Sequence, residues 1–232
     1  MLTITETGLY RLMVWLSPAF PVGGFTHSHG IEFAVEEGLV MDAATLEGWV
    51  EAILTHGAGR VDAALFRTAW EAVTEADDES LAWAVCWAEA MRGSAETALE
   101  SASQGRAFLD TVRAAWPHPR LDAYAARFAA MDRTPAHCVA VGAAAAVAGV
   151  PLKAALLAYL QAFAANLVSA GVRLVPLGQT DGQKILAALE NPIVAAVENA
   201  LGRPRSEIGS AAPFVDWTCM QHETQYTRLF RS

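Results

Sequence analysis

The chain has 232 residues, a formal net charge of −9 and a pI near 5.1. It contains only two lysines and no run of basic residues, which argues against nucleic-acid binding because phosphate recognition requires a basic surface. Hydrophobic residues make up 53% of the chain and charged residues 18%, against about 25% charged residues in a typical soluble domain. So few charges leave apolar surface uncovered, and this predicts a homo-oligomer or a complex with other proteins.

The cysteines and the apolar stretches indicate where the protein resides. Cys86, Cys138 and Cys219 are odd in number and far apart, so we expect reduced thiols in a cytoplasmic protein. The N-terminal apolar run 12–16 is too short for a signal peptide. The stretch 154–172 comes nearest to a membrane span, but it is rich in alanine and interrupted by polar residues. We therefore predict a buried helix there and no membrane association.

Residues 16–32, here called the elbow, combine two prolines with two adjacent glycines. Pro18 and Pro21 fix their own φ angles and push the preceding residues away from helix. Gly23 and Gly24 permit backbone angles that other residues avoid. This pattern predicts a rigid loop that opens a helix near Ser28 and positions some functional group.

Apolar residues recur at helical spacing along the rest of the chain, and strand alternation is almost absent. One stripe follows Asp42, which we predict to be an N-cap, and a second stripe covers 61–73. The members of these stripes are Leu46, Trp49, Val50, Ile53 and Leu54, then Val61, Leu65, Ala69, Trp70 and Val73. We predict an all-α fold over residues 1–232, a single globular domain of about ten helices with short loops.

Several further helix features are specific enough to test. Asn191 and Pro192 read as an N-cap followed by the first helical residue, and the Trp-Pro-His-Pro run at 116–119 reads as a break between helices. The segment 81–91 carries tryptophans and small apolar residues on different sides, which predicts an enclosed helix.

Gly105 lies inside a helical pattern, where it costs about 1 kcal/mol relative to alanine. We expect a close helix–helix crossing at this position to offset that cost. In the stretch 154–172, five large apolar residues fill one arc and are predicted to face the core: Leu156, Leu157, Leu160, Phe163 and Leu167.

The sequence does not match the catalytic and nucleotide-binding motifs with which we compared it. The run 26–30 resembles a nucleophile elbow, but Thr26 stands where its first glycine must be and no strand precedes it. Residues 182–185 have neither the order nor the spacing of a P-loop, and no dinucleotide fingerprint is present. We therefore predict that the protein is not an enzyme and has no cofactor. A weaker signal is a nickel or zinc site built from four residues: His27, His29, Cys219 and His222.

The C-terminal segment 216–232 is dense in aromatic residues and arginine, which are favoured at binding hot spots. Chain ends are usually polar and frayed, so this composition is unusual. Two interpretations stay open. The segment is either a last helix packed on the protein's own core or an interaction segment that becomes ordered against another protein.

Four motifs follow one another along the chain. The elbow reads Ser-Pro-x-Phe-Pro-Val-Gly-x-Phe-x-x-Ser-x-Gly-Ile-Glu at 17–32. Glu-Ser-x-x-Gln-Gly-Arg follows at 100–106, and Val-Arg-Leu-x-Pro-Leu-Gly-Gln-x-x-Gly-Gln follows at 172–183. The chain ends with His-Glu-Thr-Gln-Tyr-x-Arg-Leu-Phe-Arg-Ser at 222–232. In this order the four motifs resemble those of the UreF family of urease accessory proteins, and the resemblance spans nearly the whole chain.

The resemblance implies an all-helical, homodimeric cytoplasmic protein without catalytic activity. Proteins of this family join UreD (also called UreH) and recruit the GTPase UreG, and the assembly delivers nickel to apo-urease. Carried over by position, candidates for the UreD-binding face are Tyr226, Arg228, Leu229 and Phe230, and candidates for other contacts in the complex are Arg173, Gln179 and Gln183.

Two alternatives remain beside the resemblance, one for the role of Asp181 and one for the function of the protein. Asp181, in the turn that holds the two glutamines, is also a suitable helix cap. The alternative function is a nickel-binding chaperone that holds the ion at His27, His29, Cys219 and His222, although the resemblance itself supplies no nickel ligand.

Overall fold

The computed structural model describes residues 3–232, and these contain α-helices, two short 3-10 turns and no strand. The prediction of an all-α fold is therefore confirmed. Twelve α-helices occur in this part of the chain: α1 Glu6–Trp15, α2 Ile31–Glu36, α3 Ala43–Thr55, α4 Ala58–Glu75, α5 Asp78–Ala90, α6 Ala95–Ala115, α7 Pro119–Ala130, α8 His137–Val147, α9 Leu152–Leu174, α10 Gln179–Ala188, α11 Glu190–Gly202 and α12 Pro213–His222.

Helices α4, α8 and α9 form the centre of the molecule. Helix α4 packs against α3, α5, α8, α9 and α11, and α6 covers another side of α8. The small residues of α8 let its neighbours approach closely, since a Cβ on Gly142 would lie 2.6 Å from the carbonyl oxygen of Phe66. Eight consecutive residues of α8, from Cys138 to Ala145, are buried. The core is therefore built from close backbone contacts as well as from large side chains.

Local sequence signals explain where several helices begin. Asp42 caps α3 by accepting a hydrogen bond from the amide of Thr45 at 2.9 Å, as predicted. The predicted break at 116–119 is confirmed: α6 ends at Ala115, and α7 starts with Pro119 after the N-cap His118. Proline at the first helical position lacks only an amide hydrogen that would have no helical partner there.

Two predictions about helices are wrong. Helix α11 begins at Glu190, one residue before the expected N-cap Asn191, because the buried Leu189 keeps helical backbone angles between α10 and α11. Helix α5 is not enclosed. The rings of Trp83 and Trp87 stack on each other with centroids 5.2 Å apart, and Trp87 remains exposed.

Helix α9 is long and apolar enough to cross a membrane by length and composition alone, but half of its most apolar window is buried inside the protein. It packs against α3, α4, α8, α10 and α11. The predicted buried helix is thus confirmed, with Leu156, Leu160 and Leu167 in the core. Leu157 deviates from the prediction, since its side chain is exposed.

The close approach predicted at Gly105 is confirmed, and its partner is the segment that leads into α8. A Cβ on Gly105 would collide with the carbonyl oxygen of Pro135 and would lie 2.8 Å from the carbonyl carbon of Ala136. Both are backbone atoms, which cannot move aside as a flexible side chain can.

We expect Gly105→Ala to lower the free energy of unfolding by roughly 1–3 kcal/mol, because the added methyl overpacks the contact with Pro135. Gly48→Ala is the matched control: this glycine lies within α3 and a Cβ there meets nothing within 4 Å. That change should raise the unfolding free energy by about 0.5–1 kcal/mol through helix propensity. Urea denaturation of both variants checks the pair, and equal effects would contradict the close contact.

Candidate functional site

The elbow turns twice through left-handed backbone conformations before α2 begins. Gly23 has φ +75°, and His29 and Gly30 have φ +51° and +74°. Gly30 also lies directly against α12, because a Cβ there would be 2.6 Å from Thr218 Oγ1 and 2.7 Å from the Cys219 amide nitrogen. The geometry of this turn therefore depends on glycine at position 30 for two reasons, backbone angle and space.

Residues 223–232, here called the tail, leave α12 and run back to the elbow without forming a helix. The amide of Arg231 donates to the carbonyl of Thr26 at 2.8 Å. Ser28 donates to the carbonyl oxygen of Ser232 from its amide at 2.6 Å and from its hydroxyl at 2.7 Å. The two segments that stood out in the sequence are thus in direct contact.

The buried carboxylate of Glu32, in the first turn of α2, holds the middle of the tail. Its Oε1 accepts from the amide of Leu229 at 2.6 Å, and its Oε2 accepts from the amide of Phe230 at 3.0 Å. The same Oε2 contacts Nε2 of His222 at 3.0 Å. One carboxylate therefore fixes two consecutive backbone amides and the last residue of α12.

Glu96, in the first turn of α6, binds the side chain of His222 at the end of α12 and that of Arg228 in the tail. Its Oε2 lies 2.7 Å from Nδ1 of His222, and its Oε1 pairs with the guanidinium of Arg228. In return, the tail residue Glu223 caps α6, because its Oε1 accepts from the amide of Ala95 at 2.6 Å. The helix end and the tail stabilise each other through charge-assisted hydrogen bonds.

His222 has a carboxylate oxygen at each ring nitrogen and is fully buried. A neutral imidazole has one donor and one acceptor nitrogen, whereas ionised carboxylates only accept. Carboxylate contacts therefore occupy both ring nitrogens of His222, and the guanidinium of Arg228 pairs with the other oxygen of Glu96.

Glu100, one turn after Glu96, holds the far end of the tail. It accepts from Nε2 of His29 at 3.0 Å, from the side-chain amide of Gln104 at 2.8 Å and from the hydroxyl of Ser232 at 2.7 Å. Burial of Glu100 opposes its ionisation, but the charge and hydrogen bond of His29, the charge of His27 and the Ser232 hydroxyl hold its pKa at about 2. The carboxylate is therefore ionised at neutral pH.

The four residues considered as a nickel site are not arranged to bind a metal. Within residues 3–232, no group of three or more His, Cys, Asp or Glu side chains has metal-binding geometry. The ring nitrogens of His222 face Glu32 and Glu96, and Nδ1 of His27 faces the Ser232 hydroxyl at 2.9 Å.

Cys219 argues against a metal site as well. Burial raises the pKa of its thiol well above the ordinary range, so the thiolate form that binds metals is disfavoured at this position while no ion is bound. The hypothesis of a four-residue nickel site is therefore wrong: hydrogen bonds occupy the ring nitrogens of His222 and Nδ1 of His27, and Cys219 is buried.

The candidate interface residues divide into exposed and anchoring positions. The side chains of Tyr226 and Leu229 are 103% and 77% exposed. Phe230 is only 5% exposed, and the guanidinium of Arg173 lies 4.4 Å from its ring centroid. Arg173 also donates to the carbonyl of Phe25 at 2.8 Å, so it joins the elbow to the tail.

The other two candidates lie on α10. Gln179 and Gln183 are exposed, and the side chain of Asp181 accepts a hydrogen bond from the Gly178 amide at 3.1 Å. The simpler interpretation of Asp181 as a helix cap is therefore confirmed. In the part of the chain that the structure describes, neither glutamine forms a hydrogen bond with the tail, so the structure does not join them to the other candidates.

Sequence reasoning missed the residues that hold the tail, which are Glu32, Glu96 and Glu100. One signal was available. Glu96, Glu100 and Gln104 follow each other at four-residue spacing on α6, which places three polar side chains on one helix face. Two of these, Glu100 and Gln104, are buried, so this polar row marks a contact and not a solvated surface.

Acid should weaken the contact around Glu100. Its pKa in the folded protein lies near 2, below the value of about 4.3 expected for an unfolded chain. Its contribution to stability is therefore complete above about pH 4.3 and is lost as the pH falls toward 2.

Between pH 5 and pH 3, we expect Glu100 to contribute a loss of roughly 2 kcal/mol in unfolding free energy. In Glu100→Gln this part of the pH dependence should disappear, because the amide does not titrate. Urea denaturation at several pH values measures it, with the exposed Glu37→Gln as control. Parallel curves for Glu100→Gln and the native chain would contradict an ionised, tail-bound Glu100.

Comparisons with known proteins show the family to which this chain is similar. The UreF family model matches residues 40–190. The urease accessory protein UreF of Granulibacter bethesdensis is 50% identical over 227 residues, covering 98% of this chain and 95% of the relative. Its counterparts in Rhodopseudomonas palustris (strain BisB5) and Bradyrhizobium diazoefficiens are 50% and 48% identical, covering 98% and 97% of this chain and 92% and 91% of their own lengths. These names describe accessory proteins and not catalytic enzymes, and the chain belongs to the UreF family of urease accessory proteins.

Proposed function

We propose that this protein is a scaffold and regulator within the complex that inserts nickel into apo-urease. Its partners are UreD (UreH), the GTPase UreG and apo-urease, and it works as a cytoplasmic homodimer. Membership of the UreF family supports this role. The acidic charge and the high apolar content agree with a protein that works by presenting surfaces to other proteins.

The observation that carries the proposal is the pairing of a fixed backbone with free side chains in the tail. The backbone amides of Leu229 and Phe230 are bound by Glu32, whereas the side chains of Tyr226 and Leu229 project into solvent. An aromatic and an aliphatic side chain held outward in this way lose little conformational entropy on binding. The segment 216–232 is accordingly proposed as the interaction segment for UreD.

The remaining candidates take different roles in this proposal. Phe230 is buried beneath Arg173, so it anchors the tail, and Arg228 is held by Glu96 at the edge of the same surface. Gln179 and Gln183 lie on α10, beyond Arg173 along the chain, and are available for a separate contact within the complex.

We expect the double variant Tyr226→Ser/Leu229→Ser to bind UreD about 10- to 100-fold more weakly, because it removes two exposed hot-spot side chains. Its thermal unfolding should stay unchanged, since neither side chain is buried. Affinity is measured by titration of purified UreD, followed by a urease-activation assay with UreG, GTP and nickel.

The matched control is Leu157→Ser/Val194→Ser, which removes two exposed aliphatic side chains from α9 and α11. It should bind UreD as the native chain does. Equal affinity of the tail variant and the native chain would overturn the tail as the UreD-binding surface, whatever happens in the activation assay.

A further inference from the structure

We propose that Glu32 is the positioning residue of the partner surface: its buried carboxylate holds residues 228–230 in the conformation that presents Tyr226 and Leu229. Glu32 is 6% exposed, so its side chain cannot be a contact for a partner. The inference rests on the proposed function for the identity of the surface. Its physical basis is the hydrogen-bond geometry of the isolated chain.

The tail has little else to fix its backbone at this point. Residues 223–232 form no helix or strand, so the amides of Leu229 and Phe230 receive no partner from secondary structure. Both donate to Glu32, at 2.6 Å and 3.0 Å, and a carboxylate that accepts two adjacent amides fixes the peptide between them. The orientation of the Leu229 side chain therefore follows from Glu32.

Glu32 also joins the tail to the end of α12. Its Oε2 accepts from the Phe230 amide and contacts Nε2 of His222, whose other nitrogen faces Glu96. Glu36, one turn later on α2, binds the side-chain amide of Gln225. One face of α2 thus contacts the tail both before and after Tyr226, which explains how an exposed, irregular segment keeps a defined shape.

The elbow sets the position of Glu32 at the start of α2. Helix α2 begins directly after the left-handed Gly30, and Glu32 N is 3.4 Å from the Ser28 hydroxyl that also binds Ser232. The elbow therefore brings two tail-binding groups, Ser28 and Glu32, close together. Ser28 and Glu32 are therefore the groups that the elbow positions.

The test compares Glu32→Gln with Glu37→Gln, which makes the same change at an exposed position on the end of α2. Glutamine keeps the size of the side chain but loses the charge and replaces one acceptor oxygen with a donor. We expect amide hydrogen exchange at Leu229 and Phe230 to become roughly tenfold faster or more in Glu32→Gln. The Glu37→Gln variant should match the native chain, and exchange in the α4 and α8 amides should be unchanged in both.

The same variants are then titrated with UreD. Glu32→Gln should weaken binding roughly tenfold, and in the Tyr226→Ser/Leu229→Ser background it should add no further loss, because it acts through those side chains. If the double variant weakens binding but Glu32→Gln changes neither exchange nor affinity, the positioning role is wrong and the proposed surface stands. If the double variant Tyr226→Ser/Leu229→Ser binds UreD as tightly as the native chain, the tail is not the UreD-binding surface, and the proposed function is contradicted before the role of Glu32 is tested.

A measurement on the native chain keeps the inference testable even where Glu32→Gln does not fold. The amides of Leu229 and Phe230 should exchange more slowly than the amides of Tyr226 and Thr227, which have no hydrogen-bond acceptor in the described structure. Equal exchange at all four positions in the isolated protein would overturn the role of Glu32.

Discussion

Three glutamates on two helices bind the tail, and the conformation of the proposed partner surface depends on them. Glu32 holds tail amides, Glu96 holds His222 and Arg228, and Glu100 holds Ser232. Buried or partly buried carboxylates are costly unless their hydrogen-bonding capacity is filled. The tail supplies donors to all three, so a displaced tail would leave these carboxylates without those hydrogen bonds. The tail is therefore part of the folded structure, although it contains no regular helix.

This arrangement separates the groups that anchor the tail from the side chains that are exposed. Backbone amides, Phe230 and Ser232 face inward, whereas Tyr226 and Leu229 face solvent. The two interpretations of the C-terminal segment, a piece of core and a partner surface, are therefore compatible within one segment. Arg173 connects this surface to the elbow through Phe230 and Phe25, so α9 supports both.

Sequence patterns predicted the start of a helix correctly where neighbouring residues determine it. Asp42 caps α3 through a residue three positions away, and Pro119 starts α7, so neither depends on distant parts of the chain. Predictions failed where burial decided the outcome. Trp87 is exposed although its neighbours pack inward, and the buried Leu189 extends α11 by overriding the capping signal at Asn191. Periodicity identifies a helix, but it does not say how much of each face another helix covers.

The sequence alone determined the helical class, the rigid elbow, the unusual C-terminus and the family, because these depend on composition, short-range spacing and ordered motifs. Only the tertiary structure decided what His222, Glu32 and Glu100 do. The tail contacts with Glu32 join residues 197 and 198 positions apart, and the contact of Glu100 with Ser232 joins residues 132 positions apart. At that separation no periodic pattern links a carboxylate to its donors. A histidine that looked like a metal ligand is instead held between two glutamates, because folding brings α2, α6 and α12 together.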